Sequence, residues 1–163
     1  MLRYSWWAVA VIVIDQITKY WAVRELAMQP PIDLLPFFSL TLVFNTGAAF
    51  GLLSDSGGWQ NVFFIVVAVV ISIVIIVNLY RMQHRQVQSA IALSLILGGA
   101  LGNVIDRAWR GYVVDFVDLY YQVWHWPAFN VADAAITVGA ILLIIDSMGI
   151  RLFGPPIIDD PDW

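Results

Sequence analysis

The sequence predicts an all-α membrane protein of four transmembrane helices carrying a small β-sheet outside the bilayer. Three observations predict it. First, 61% of the 163 residues are hydrophobic and 12% are charged, with a mean hydropathy of +0.80; a soluble domain typically has about 25% charged residues. Second, four apolar runs approach the roughly 20 residues a helix needs to cross the hydrocarbon core. Third, two segments between those runs are rich in aromatic and β-branched residues, as strands are.

The first run, Tyr4–Val23, is broken by Asp15 and Lys19. Arg3 before it resembles the start of a cleaved leader, but no small-residue cleavage pattern follows, so the run is expected to stay as a helix. Pro36–Asn45 and Tyr112–Leu119 read as the strands, and Ser54–Trp59, with Gly57-Gly58, as a flexible loop. Val62–Tyr80 and Gln86–Ile105 are spans without charge, and Ala128–Ile150 is a fourth, broken by Asp133 and Asp146. Residues 1–153 therefore form one four-helix domain. Residues 154–163, opened by Gly154-Pro155-Pro156, are an acidic tail expected to be disordered. Trp6, Trp7, Trp21, Trp59, Trp109, Trp124 and Trp126 lie near run ends, as interfacial belts require.

Four spans put both termini on one side. The basic turn Arg81–Gln88 reads as cytoplasmic under the positive-inside rule. The eight cations divide evenly between the two sides, so the orientation rests on pairing Lys19 and Arg107 with carboxylates and leaving them out of the free loop charge. With no cysteine, disulfides, thiolate metal sites and cysteine nucleophiles are excluded. A net charge of −4 offers no basic stripe for nucleic acid.

The chemistry lies in the carboxylates. An ionised carboxylate in a bilayer costs roughly 2.5–3.5 kcal/mol on insertion scales, so Asp15, Asp106, Asp115 and Asp133 should face a protein interior or wet cavity. Asp15 and Lys19, four apart on a helix, suit a structural ion pair. Asn45 opens the turn Asn45-Thr46-Gly47-Ala48, where a loop-structuring amide is the plain alternative. Gly98 and Gly102 form a small-xxx-small packing face, and Gly99, Asn103 and Arg107 form a second face running from a groove to an amide and a guanidinium. Asp115 and Asp118, three apart in a strand, point to opposite faces, so only one can enter a shared cleft. Asn130 suits an N-cap, and Asp133 suits the first turn of the fourth helix. Asp146, about 20 Å further along that helix, belongs to the other interface.

Two carboxylates, Asp115 and Asp133, thus reach one membrane level among Asn45, Asn103, Arg107 and Asn130. Held close they cannot both ionise easily, so one stays protonated and the pair can divide the work of amide hydrolysis. Metal ligation by Asp115, Asp118, His125 and Asp133 is the competing chemistry, disfavoured by a single nearby His and the lack of HExxH-like spacing. The rival classes are a small transporter or proton relay, which would spread its carboxylates through the membrane depth, and a non-enzymatic assembly factor that uses charge as helix-pairing glue.

Five blocks then occur in order: DQITK at Asp15–Lys19, NTGAAFG at Asn45–Gly51, GGALGNVIDR at Gly98–Arg107, VVDF at Val113–Phe116 and FNVADA at Phe129–Ala134. With them the chain, from Trp7 to Gly149, resembles lipoprotein signal peptidase (signal peptidase II), a family of bacterial membrane aspartyl peptidases. The resemblance implies that Asp115 and Asp133 are the catalytic dyad. It implies that Asn45, Gly47, Gly99, Asn103, Arg107 and Asn130 order the site or meet substrate, with Asp15 and Lys19 in structural support. It further implies cytoplasmic termini, a site at the outer face of the inner membrane beside a β-sheet cradle, and no metal or cofactor. The implied substrates are diacylglyceryl-modified prolipoproteins embedded in membrane lipids, cut before the lipidated cysteine. The implied inhibitors are cyclic depsipeptides of the globomycin type.

Overall fold

The computed structural model describes residues 1–47 and 59–153, and its elements follow the apolar runs closely. After a 3-10 turn at Leu2–Tyr4 come α1 (Trp6–Leu26), β1 (Ile32–Leu35), β2 (Phe38–Asn45), α2 (Trp59–Arg81), α3 (Val87–Arg110), β3 (Val113–Tyr121), β4 (Trp124–His125) and α4 (Val131–Ser147). Residues 54–58 of the expected Ser54–Trp59 loop, and the tail 154–163, lie outside the described residues. By length and composition α2 and α3 are apolar enough to cross a membrane. The other two helices have charges within their apolar runs: Asp15 and Lys19 in α1, Asp133 and Asp146 in the 17-residue α4.

The central helix is α3, which packs against α1, α2 and α4. Its glycines make that possible. A Cβ on Gly98 would lie 2.7 Å from the Ala8 carbonyl oxygen of α1, and one on Gly102 would lie 2.7 Å from the Asp15 carboxylate. A Cβ on Gly99 would overlap the Ala132 carbonyl oxygen of α4. The two glycine faces read from the sequence thus serve two neighbours, α1 and α4. At the far end of the same α3–α4 seam, Gly139 meets the Ala92 carbonyl oxygen, where a Cβ would lie 2.6 Å away.

The strands form one antiparallel sheet in the order β1-β2-β3-β4. The expected strands Pro36–Asn45 and Tyr112–Leu119 are β2 and β3, whereas β1 and β4 are additions that the sequence pattern does not signal. They are short edge pieces of four and two residues, ordered by pairing with β2 and β3. The register sets Val43 opposite Asp115 and Asn45 opposite Val113. Past β4 the chain returns to β3: Phe129 N donates to the Val117 carbonyl at 3.0 Å, and Val117 N to the Phe129 carbonyl at 2.9 Å. This bridge fixes the entry to α4 beside Asp115.

Asp146 sits at the other end of the bundle, as its spacing predicts. It is hydrogen-bonded to Ser89 at the start of α3 and lies 3.9 Å from Arg151.

Candidate active site

Asn130 is the joint on which the site turns. It caps α4, its side-chain oxygen accepting Asp133 N at 2.9 Å while its own N–H donates to Asp133 Oδ2 at 3.3 Å. This is the capping expected from the sequence, made reciprocal, and it leaves the Asn130 amide nitrogen available elsewhere. Fully buried, Nδ2 donates to Asp115 Oδ1 at 2.7 Å. One residue thus connects the two carboxylates, through its side chain to Asp115 and its backbone N–H to Asp133.

Each carboxylate takes a second amide. Asn45 Nδ2, diagonal to Asp115 across the β2–β3 ladder, donates to Asp115 Oδ2 at 3.0 Å, and Gly47 N donates to Asn45 Oδ1 at 3.0 Å to hold that amide in place. Asn103 Nδ2 donates to Asp133 Oδ1 at 2.8 Å. The Asn103 oxygen in turn accepts Lys19 Nζ at 2.9 Å, a connection between the ion-paired helix and the site that the sequence did not reveal. Burial pushes the Asp115 carboxyl up to about 6; the Asn45 bond opposes this, and the nearby charge of Asp133 adds to it.

Asp115 and Asp133 line a cavity of about 610 Å³ together with Asn45, Asn103 and Arg107. Its remaining wall is mostly apolar: Leu119 of β3, Trp126–Phe129 and the outer turns of α4 as far as Val138. Asp118 is turned away, as the alternation of the strand requires. It accepts Ser39 Oγ at 3.1 Å and lies 2.8 Å from His125 Nδ1. The four residues of the competing metal set are therefore split between the cavity and the sheet.

Two expectations change. The sequence reading gives Arg107 a carboxylate partner, with Asp106, Asp115 or Asp118 as the candidates. Among the described residues it forms no ion pair: Nη2 donates to the Gly47 carbonyl at 3.2 Å, and its guanidinium lies 5.1 Å from the centre of the Phe64 ring. The cations near Asp106 are Lys19 and Arg110 instead. Lys19 Nζ lies 2.9 Å from both Asp15 and Asp106, all three side chains fully buried, and Arg110 pairs with Asp106 from one turn on. The Asp15–Lys19 pair is therefore a triad. Asp106 also accepts Val114 N at 3.2 Å and so ties α3 to β3 just before Asp115. Its charge beside an apolar span was visible in the sequence, but its partners were not.

Two carboxylates held by amides at one end of a helical bundle, in an apolar cleft, have the layout of an aspartic-type peptidase that works in a membrane. The sequence model of Signal peptidase (SPase) II matches residues 7–149, so the chain belongs to the signal peptidase II family. Its relatives include the lipoprotein signal peptidase of Pseudoalteromonas atlantica, 52% identical over 145 residues that make up 89% of this chain and 88% of that one. That of Acinetobacter baumannii is 53% identical over 140 residues, 86% of this chain and 80% of the relative. The fold is also similar to a solved structure described as a bacterial membrane enzyme, with a TM-score of 0.78 and 34% identity over 91% of this chain and 88% of the other. A second such structure gives 0.76.

Proposed function

We propose that this peptidase removes signal peptides from diacylglyceryl-modified prolipoproteins by cutting before the lipidated cysteine, with Asp115 and Asp133 as its dyad. The observation that carries the reading is the sharing of Asn130: one buried amide holds Asp115 while its backbone and oxygen hold Asp133, and both carboxylates open into one apolar cavity. Residues 1–153 act as one domain of four transmembrane helices, with α1 and α4 carrying their charges inward. The lipid-facing side is apolar, as on α2, where Val62, Val66, Ile73 and Val74 are exposed. The termini and the Arg81–Arg85 turn are cytoplasmic, and the site lies at the outer face of the bacterial inner membrane.

The mechanism follows from the shared proton. The ionised member of the dyad takes a proton from water as the water oxygen bonds to the scissile carbonyl carbon, and the protonated member donates to the carbonyl oxygen. Collapse of the tetrahedral intermediate breaks the C–N bond, and the proton gained from water passes to the leaving amine of the lipidated cysteine. The amide donors of Asn45, Asn103 and Asn130 hold both carboxylates in position for these transfers. A lipidated signal peptide is already confined to the bilayer, and the apolar wall along α4 suits its approach. Water must reach the dyad, and Asp115 in a strand and Asp133 in a first helical turn, both lining the cavity, fit a site near the interface.

The test uses purified protein and a diacylglyceryl-modified prolipoprotein. Wild-type cleavage before the lipidated cysteine is expected, blocked by a globomycin-type depsipeptide and lost in folded Asp115→Asn and Asp133→Asn. A wild type that leaves uncut a substrate processed by a related enzyme would overturn the reading.

A further inference from the structure

Arg107 lines the cavity with the two aspartates, yet what holds it is neither of them. Among the described residues its buried Nε has no hydrogen-bond acceptor, and one Nη2 bond runs to the Gly47 carbonyl. The central carbon of the guanidinium lies over the Phe64 ring of α2, 5.1 Å from its centre. Phe64 lies in an uninterrupted apolar run, within no motif, and is half-buried. A lipid-facing phenylalanine needs no such neighbour.

The choice of a ring has a chemical consequence. A carboxylate beside Arg107 would take two N–H donors in a bidentate pair and cancel its charge. A ring face attracts the cation through its quadrupole, fixes the guanidinium plane and takes no donor. The cation then keeps its charge and N–H groups for a carbonyl oxygen entering the cleft. We propose that Phe64 is a positioning residue of this peptidase, a shelf that holds the Arg107 guanidinium at the cleft wall, where it meets the substrate and faces Asp133 and Asp115. The proposal rests on the peptidase reading above.

The charged groups around that guanidinium are Asp133 of α4, Asp115 of β3 and Asp106 of α3, and Lys19 of α1 enters through Asn103. Substituting Phe64 alters none of them, so a change in dyad ionisation would come through Arg107. A cation that drifts from the cleft stabilises ionised carboxylates less, and the acid limb of the activity profile must move to higher pH.

The experiment measures kcat and KM on the lipidated prolipoprotein from about pH 4 to 9, a window that spans both limbs of a carboxylate dyad. The variants are Phe64→Leu, Phe64→Tyr, Arg107→Lys and the double variant Phe64→Leu/Arg107→Lys, each with its thermal midpoint. Phe64→Leu is expected to lower kcat/KM about tenfold and to raise the acid limb by about half a pH unit, whereas Phe64→Tyr, which keeps the ring, retains both. In the Arg107→Lys background, where the guanidinium that Phe64 would hold is already gone, Phe64→Leu should add less than about a twofold loss. If Phe64→Leu does not fold, Phe64→Met, with similar bulk and no ring, replaces it. Equal impairment in Leu and Tyr, an unmoved acid limb, or losses that simply multiply would overturn the proposal while the wild type still cuts. A wild type that does not cut overturns the peptidase reading and this one with it.

Discussion

Two groups of carboxylates flank α3, and they are treated in opposite ways. On the α1 side, Asp15 and Asp106 share the Lys19 cation at 2.9 Å each, with Arg110 adding a second charge to Asp106. On the α4 side, Asp115 and Asp133 receive N–H donors from amides, at 2.7–3.3 Å. A fixed cation locks a carboxylate in its ionised form, and a neutral amide leaves it able to take up a proton. The first group is compensated by fixed cations and the second by neutral amides alone, and within the second the buried Asp115 carboxyl is pushed up to about 6. Asn103 lies between them, accepting from Lys19 and donating to Asp133, so the ion-paired group orients an amide of the other one.

Exchanging a carboxylate for an amide breaks this comparison most sharply. Asp115→Asn and Asp133→Asn should each lower prolipoprotein cleavage by about 10³-fold or more, in line with the contribution of positioned general acids and bases. Their thermal midpoints near neutral pH should stay at or above that of the wild type. A parallel collapse of folding and activity would place these residues with the structural group.

Lys19→Met should show the converse. It strands Asp15 as a buried charge and leaves Asp106 to Arg110 alone, and removing one partner of a buried pair costs about 3–5 kcal/mol. Chemical denaturation in detergent measures this, and a loss below about 1 kcal/mol would mean that water already reaches the cluster. Arg107→Ala belongs on the other side: with no buried carboxylate partner to strand, it should cost activity far more than stability.

Asp115 has its own pH signature. Asp115 keeps its proton up to about pH 6 in the folded protein, whereas in the unfolded chain it ionises near about 3.9. Below about pH 4 it is protonated in both states and carries no penalty. As pH rises toward about 6 the unfolded state sheds its proton first, so wild-type stability falls over this window and stays lower above it. The difference in unfolding free energy between Asp115→Asn and wild type should therefore grow in the variant's favour between about pH 4 and 7, by about 2–3 kcal/mol. A difference that is flat with pH would mean the carboxyl is not desolvated. If Asp115 and Asp133 are the dyad proposed above, activity should follow a bell-shaped profile whose two apparent pKa values belong to the pair.

What could be read from the sequence, and what could not, follows the range of the interactions. The helices were legible because lipid and core impose a run of apolar residues, and β2 and β3 because their β-branched and aromatic residues cluster. β1 is flanked by Pro31 and Pro36 and shows no alternation, since all four of its residues are exposed; it is a strand because β2 pairs with it. The Asp15–Lys19 pair was legible as an i,i+4 spacing. Its third member was not, because Asp106 is brought in only where Gly98 and Gly102 let α1 and α3 close. The same blindness assigned Arg107 a carboxylate: charge invites a counter-charge when the partner is unseen, and a ring on α2 leaves no mark in a uniformly apolar run.

The α3–α4 seam offers the finest division between the two roles, since a glycine stands at each end of it. A methyl on Gly99 would overlap the Ala132 carbonyl, next to Asp133, and one on Gly139 would lie 2.6 Å from the Ala92 carbonyl, toward the opposite end of the bundle. Both clashes are with backbone, which cannot rotate away, so Gly99→Ala and Gly139→Ala should each force the helices apart at a cost of about 1–3 kcal/mol. Stability alone will not separate them. Cleavage will: parting the helices at Gly99 draws Asp133 from Asn103 and Asp115, and should lower kcat about tenfold, as misplacement of a catalytic group by a fraction of an ångström does. Parting them at Gly139 strains the end held by Ser89 and Asp146, and should leave kcat within about twofold at temperatures where the variant is folded. Equal losses of kcat would mean that the seam moves as a rigid unit, and that the cleft is tuned by the whole α3–α4 packing and not by its outer end.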